Sequence, residues 1–283
     1  MLFFAKILPK DFKMFKFLFI FFLFFTFAKA DIKGAGATFV YKAVKELAID
    51  YKDKFGKKVD FTPIGSSGGI KELKRGDVNF AISEIKGNCE NCEFSQFAKG
   101  NVAVIYNVKD VKYLNLNGKI LAEIYLGKIE FWDDEKIKIL NQDENLPHEK
   151  INIFHRYDGS GTTLAFSEFL SANDKKFAEI LGSGFSLNFK VGIGKKGSYI
   201  IAQSVRDTPF SIGYTGESYA VNLKSANLVV NDEILTIENK KYPITNKSYF
   251  VYKKDGEKLD EILKFIEFIR ENGEVLDKYS LSF

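Results

Sequence analysis

Three times in this chain, an apolar stretch leads into a short loop of glycine, serine and threonine that a helical pattern then follows. The loops are GAGATF (34–39), GSSGG (65–69) and RYDGSGT (156–162). A helix whose apolar residues recur at helical spacing follows the first loop and ends at Gly56. Residues 59–64 and 78–83 are predicted as strands, and 70–74 as the start of a helix after the second loop. This alternation predicts an α/β fold with a largely parallel sheet.

The first thirty residues have the pattern of a secretory signal peptide. Lysines precede an apolar stretch at 15–27, and AKA (28–30) follows it. A transmembrane anchor needs about 20 apolar residues, and Lys16 and Lys29 bracket fewer. We therefore expect cleavage after residue 30, a mature chain from Asp31 and a periplasmic location, with Met14 as an alternative start.

Removing this leader changes the charge of the protein. The full chain has 41 basic and 37 acidic residues, and the leader holds five lysines and one aspartate. The remaining chain then has 36 of each sign, so its formal net charge falls from +4 to zero. A nucleic-acid partner is not expected, because it would require a basic excess on the folded domain.

The only cysteines, Cys89 and Cys92, stand in NCENCE (88–93). In an oxidising compartment this spacing favours a local disulfide. The acidic neighbours oppose thiolate formation in a redox motif. A zinc site would need two more ligands, for which the chain offers His148 and His155 alone. We expect a disulfide, with no metal and no cofactor.

The third loop has the most informative chemistry. Arg156 offers a planar donor fork suited to oxyanions, and Asp158 is placed to hold it or to cap the helix. Ser160, Gly161 and Thr162 supply hydroxyls and N–H groups at a helix start, where the helix dipole favours an anion. GSGTTL (159–164) lacks the third glycine of a dinucleotide loop, and no phosphate-binding P-loop motif occurs. The residues predict an oxyanion site.

Six segments together resemble the periplasmic phosphate-binding proteins of phosphate ABC importers, in the order of that family. They are GAGATF (34–39), IGSSGG (64–69), EIYLGKI (123–129), WDD (132–134), DGSGT (158–162) and IGY (212–214). The resemblance spans essentially the whole mature chain, although the part after residue 214 is shorter than is usual in the family.

The resemblance implies a set of phosphate ligands. These are Thr38, Phe39 through its backbone N–H, Ser66, Glu84, Arg156, Ser160, Gly161 and Thr162, with Ser67 and Asp158 in support. Glu84 stands where the family has an aspartate, which accepts a hydrogen bond from protonated phosphate. Fully ionised sulfate has no proton to give and would leave this acceptor unpaired.

The fold implied by the resemblance is an α/β, two-lobed periplasmic binding protein fold (type II), with the ligand in a cleft between lobes joined by a hinge. Lobe I would comprise residues 31–106 and 213–283, and lobe II residues 107–212. The implied function is capture of inorganic phosphate by a monomer that delivers it to the permease and ATPase subunits of an ABC importer. The alternatives are a receptor for sulfate, molybdate or tungstate, or a secreted phosphatase.

Overall fold

The computed structural model describes residues 31–86 and 89–283, so the predicted signal peptide lies outside the described residues. The helices are α1 Tyr41–Phe55, α2 Ser66–Arg75, α3 Gly118–Tyr125, α4 Glu135–Ile139, α5 Gly161–Asn173, α6 Lys175–Ile180, α7 Gly197–Asp207, α8 Leu259–Glu271 and α9 Glu274–Lys278. The strands are β1 Ile32–Gly36, β2 Val59–Thr62, β3 Phe80–Ser83, β4 Cys92–Asn107, β5 Asn115–Asn117, β6 Asn152–Arg156, β7 Ile193–Lys195, β8 Ser211–Gly216, β9 Lys224–Ser225, β10 Asn227–Val230, β11 Glu233–Leu235, β12 Thr245–Lys253 and β13 Leu281–Ser282.

The first part of the chain forms the predicted parallel strands. β1 pairs in parallel with β2 on one side and with β3 on the other, and α1 and α2 are the crossover helices. Val44 and Leu47 of α1 are fully buried, and Gly56 ends the helix in the left-handed conformation at φ 68°. This arrangement places the ends of β1 and β3 side by side.

The long strand β4 connects two halves of the main sheet. Its residues 92–101 pair with β12, and its residues 102–107 pair with β8. We call β2, β1, β3 and β12 with residues 92–101 the first half-sheet. Residues 102–107 with β8, β6 and β7 form the second half-sheet.

Parallel pairing also organises the second half-sheet. β6 pairs in parallel with β8 and with β7, and α7 packs against β8, β6 and β4. Trp132 is fully buried and its indole N–H donates to Phe210 O over 3.0 Å. Phe210 O also accepts from the backbone N–H of Asn152 at the start of β6, whereas Arg156 at the end of this strand pairs with Lys195 of β7.

The structure departs from three local expectations. The predicted turn at 65–69 is wrong, because α2 begins at Ser66, directly after Gly65 at φ 92°. The first turn of a helix has no N–H groups bonded within the helix, so serines and glycines fit there. The apolar residues 101–108 predict a strand, but β4 begins nine residues earlier, at Cys92, because residues 92–101 pair with β12. β12 has no counterpart among the predicted strands.

One strand and one strand pair cross the predicted lobe boundaries. β8 runs continuously through positions 212 and 213, and β10 pairs in parallel with β5. The boundaries themselves stay a prediction. Within the described ranges, no helix combines the length and apolar character needed to cross a membrane.

Candidate functional site

The three predicted loops meet and bring groups from the two half-sheets together. The backbone N–H of Ser67 donates to Gly159 O over 3.4 Å, and that of Gly161 donates to Glu84 Oε2 over 3.1 Å. Groups from both half-sheets are therefore in direct contact. We call this place the cleft site and define it by the predicted residues Thr38, Phe39, Ser66, Ser67, Glu84, Arg156, Asp158, Ser160, Gly161 and Thr162.

Arg156, the last residue of β6, is held by partners on every side. Its Nε and Nη2 donate to the two carboxylate oxygens of Asp158 over 2.6 and 2.5 Å, and the two side chains are 1% and 8% exposed. Its Nη1 lies 3.4 Å from Ser198 Oγ, and its backbone N–H donates to the Tyr214 hydroxyl over 3.1 Å. A guanidinium has five N–H groups, so this fixed fork keeps donors for a further acceptor.

The start of α5 contributes small polar groups. Ser160 is the N-cap, and its Oγ accepts a hydrogen bond from the backbone N–H of Thr163 over 3.4 Å. Thr162 Oγ1 is buried and has no hydrogen-bond partner in the part of the chain that the structure describes. A buried hydroxyl without a partner costs free energy. An anion at the positive end of the helix dipole would remove that cost.

Glu84, the residue after β3, has one satisfied and one unsatisfied oxygen. Oε2 accepts from the Ser66 hydroxyl and from the backbone N–H of Gly161. Oε1 is buried and finds no partner among residues 31–86 and 89–283. Burial raises the pKa of this carboxyl, against the lowering effects of Ser66 and Arg156. Position 161 requires glycine, since a Cβ there would collide with the Glu84 side chain.

Thr38 and Phe39 occupy the turn between β1 and α1. Thr38 Oγ1 accepts a hydrogen bond from the backbone N–H of Ser198 over 3.2 Å, and its carbonyl accepts one from the Tyr219 hydroxyl over 2.9 Å. The Phe39 ring is 2% exposed and belongs to the main hydrophobic core. Because the Phe39 ring is packed in the core, the backbone of this turn is held in place beside the site.

Ser198 and Tyr214 contact the cleft site without having been predicted as site residues. Both are fully buried. Tyr214 falls within the IGY (212–214) segment, where only its family resemblance was noted. Ser198 is the second residue of α7, which follows β7, in the sequence KKGS (195–198). The same order of strand, glycine, serine and helix could have found it, but the two lysines make the stretch look like a surface turn.

The histidines and cysteines lie outside this constellation. Successive side chains of a strand point to opposite faces, so His155 faces away from Arg156, and its ring packs on Phe189 at 4.6 Å. A disulfide joins Cys89, in the segment between β3 and β4, to Cys92, the first residue of β4. Among the described residues, no group of three or more His, Cys, Asp or Glu side chains is arranged to hold a metal ion.

Comparison with known proteins supports the fold and the family. Residues 26–272 match the sequence profile of a PBP superfamily domain. Phosphate-binding protein PstS of Xylella fastidiosa is 37% identical over 200 residues, which cover 68% of this chain and 55% of the relative. Phosphate-binding protein PstS of Haemophilus influenzae is 37% identical over 202 residues, which cover 69% and 60% of the two chains. The chain thus matches little more than half the length of these curated relatives.

Solved structures show the same architecture. A proposed phosphate ABC transporter substrate-binding protein from Clostridium perfringens, solved with bound phosphate, superposes with a TM-score of 0.72 at 23% identity. The match covers 89% of this chain and 98% of that chain. A phosphate transport receptor from Vibrio cholerae gives 0.63 at 18% identity, over 89% and 100%.

These structural likenesses confirm the predicted α/β, two-lobed periplasmic binding protein fold, with β4 passing between the two halves of the sheet. The sequence match extends over most of the chain, from residue 26 to residue 272, just past the end of α8. The chain belongs to the PBP superfamily.

Proposed function

We propose that this protein is an extracytoplasmic solute-binding protein that captures inorganic phosphate and delivers it to an ABC importer. The proposal depends on one observation, namely that two buried polar atoms of the cleft site have no hydrogen-bond partner in the described residues. These atoms are an acceptor, Glu84 Oε1, and a hydroxyl, Thr162 Oγ1. The charge of the fixed Arg156 guanidinium acts on Glu84, where it opposes the rise in pKa that burial causes. A ligand that suits these groups must both accept and donate hydrogen bonds.

An oxyanion satisfies the donors. Arg156 supplies a charged fork, the N-terminus of α5 supplies hydroxyls and a favourable dipole, and the β1–α1 turn adds Thr38. We propose that the ligand contacts are made by the predicted set Thr38, Phe39 N–H, Ser66, Glu84, Arg156, Ser160, Gly161 and Thr162. Ser67 and Asp158 hold the loops and the guanidinium in place.

The acceptor selects among oxyanions. Glu84 Oε1 can accept a hydrogen bond from a protonated phosphate oxygen, which fully ionised sulfate cannot offer. An unmatched buried charged acceptor costs at least about 1–3 kcal/mol, equivalent to roughly tenfold or more in affinity. The curated relatives named phosphate-binding protein support the same choice. The extra methylene of glutamate is accommodated because Ser66 and Gly161 hold Oε2 and leave Oε1 free.

The transport role adds proposals beyond the site. We propose export through the leader at 1–30, closure of the two lobes on phosphate, and docking of the closed monomer on a membrane permease driven by an ATPase. In this role phosphate is bound and released unchanged, with no catalytic step, cofactor or metal.

Equilibrium dialysis of the purified protein against radiolabelled phosphate at neutral pH tests the proposal. We expect saturable binding of one phosphate per chain that an excess of sulfate, molybdate or tungstate does not displace. Displacement by one of those anions would identify the protein as a receptor for it, and absence of phosphate binding would refute the proposed function.

A further inference from the structure

The hydroxyl of Ser198 lies between two side chains of the cleft site. Its Oγ is 3.4 Å from Arg156 Nη1 and 3.3 Å from Thr38 Oγ1. The residue is 0% exposed. Its backbone N–H also donates to Thr38 Oγ1, over 3.2 Å. A single buried serine therefore contacts the main cationic group and the β1–α1 turn at once.

The chemistry of these groups fixes the direction of two of the three hydrogen bonds. A guanidinium only donates, so Ser198 Oγ accepts from Arg156. A backbone N–H only donates, so Thr38 Oγ1 accepts from Ser198. The serine proton is then free to donate to Thr38 Oγ1 as well. Either hydroxyl of this pair can be the donor. When Ser198 donates, Thr38 Oγ1 accepts twice and its own proton is available for an anion in the cleft.

The same serine joins the two half-sheets. Ser198 is the second residue of α7, which packs on the second half-sheet, whereas Thr38 follows β1 of the first. The start of α7 is itself fixed, because the backbone N–H of Gly197 donates to Asp158 Oδ1 over 3.2 Å and Thr215 Oγ1 donates to Ser198 O over 3.0 Å. Gly197 has φ 80°, a conformation that favours glycine.

We infer that Ser198 is a positioning residue of the oxyanion site, which orients the Arg156 guanidinium and the Thr38 hydroxyl and links the two halves of the cleft around the ligand. The inference rests on the proposed binding of an oxyanion. Ser198 is an addition to the predicted set of phosphate-contacting residues. It contacts the side chains of Arg156 and Thr38 and acts through them.

Removal of the hydroxyl tests this role. In Ser198→Ala, we expect phosphate to bind about tenfold more weakly, since a buried donor and acceptor lose a shared partner. The loss should appear mainly as faster dissociation, measured by stopped-flow release of phosphate. Ser211→Ala is the matched control, because Ser211 is equally buried but donates to Val205 O and Thr208 O, away from the cleft. It should bind phosphate as the wild type does.

A double-mutant cycle separates positioning from a merely structural effect. Once Thr38→Val has removed the threonine hydroxyl, adding Ser198→Ala should cost clearly less than it costs alone, because the two groups act together. Wild-type affinity in folded Ser198→Ala, or full additivity with Thr38→Val, would overturn the inference. If the wild-type protein itself binds no phosphate, the proposed function fails instead, so the two failures are distinguishable.

Discussion

The two sides of the cleft site differ in how far their charged groups are satisfied before any ligand binds. On the second half-sheet, Arg156 has both carboxylate oxygens of Asp158, the Ser198 hydroxyl and the Tyr214 hydroxyl around it. On the first half-sheet, Glu84 has partners for Oε2 and leaves Oε1 buried without one in the described residues. The arginine side is preorganised, and the glutamate side is left incomplete.

This difference assigns separate roles to the two sides. A rigid cationic fork with spare donors attracts any tetrahedral oxyanion, because it recognises charge and geometry alone. An incomplete acceptor recognises a proton on the ligand. We therefore expect mutations on the arginine side to change affinity for all oxyanions, and mutations at Glu84 to change the choice among them.

Loss of Arg156 should have the largest effect. Arg156→Ala should abolish detectable heat of phosphate binding, and it should lower the free energy of unfolding by about 3–5 kcal/mol because Asp158 is left buried and unpaired. Calorimetric titration and urea unfolding measure the two quantities. Arg270→Ala, which removes an exposed arginine that donates to Ser95, is the control. Retained phosphate binding in Arg156→Ala would contradict the role of the arginine side.

Substitution of Glu84 should change selectivity more than it changes stability. Glu84→Gln should weaken phosphate binding about tenfold while improving sulfate binding, because the amide can donate to an ionised oxygen. Competition between the two anions in equilibrium dialysis measures the ratio. Glu46→Gln is the control, since Glu46 of α1 pairs with Lys278 of α9 and neither residue belongs to the cleft site. An unchanged ratio in Glu84→Gln would remove Glu84 from the selectivity role.

The pH dependence of stability should also come from the glutamate side. Burial raises the pKa of Glu84 above its usual value of 4.5, so the folded protein binds this proton more tightly than the unfolded chain does. Its contribution to the free energy of unfolding is therefore fully present below about pH 4.5 and is lost as the pH rises through the folded pKa. In anion-free buffer, the stability of wild type minus that of Glu84→Gln should fall from acid to neutral pH. A constant or rising difference would contradict this.

The disulfide should have the smallest effect on the site. Cys89 and Cys92 are three positions apart, and closing so short a loop contributes at most about 2 kcal/mol in the chain-entropy view. The double variant Cys89→Ser, Cys92→Ser should lose no more stability than that in urea unfolding. Because Ser66 and Gly161 hold the Glu84 carboxylate, its phosphate affinity should stay close to that of the wild type. A large loss of affinity would show that the disulfide positions Glu84.

The loops of the site could be predicted because their chemistry is local. Glycine and hydroxyl residues at helix starts, with an arginine and an aspartate two positions apart, are visible in a single stretch of sequence. The structure joins Arg156 to Asp158 as the residue types suggested. The parallel order of β1, β2 and β3 likewise follows from alternating strands and helices.

Contacts between distant segments could not be predicted in the same way. Ser198 is 160 positions from Thr38, and no local pattern states that they touch. The passage of β4 between the half-sheets depends on its pairing with β12 and with β8, and both of these strands are distant from β4 in the sequence. Which Glu84 oxygen remains free depends on Ser66 and on the backbone of Gly161, so only the folded arrangement reveals it.

Isothermal titration of the purified protein with phosphate and with sulfate, at the same neutral pH and ionic strength, tests the central claim most directly. The incomplete acceptor at Glu84 beside the fixed fork of Arg156 predicts one-site binding of phosphate and binding of sulfate at least about tenfold weaker. Equal or tighter binding of sulfate would contradict the account.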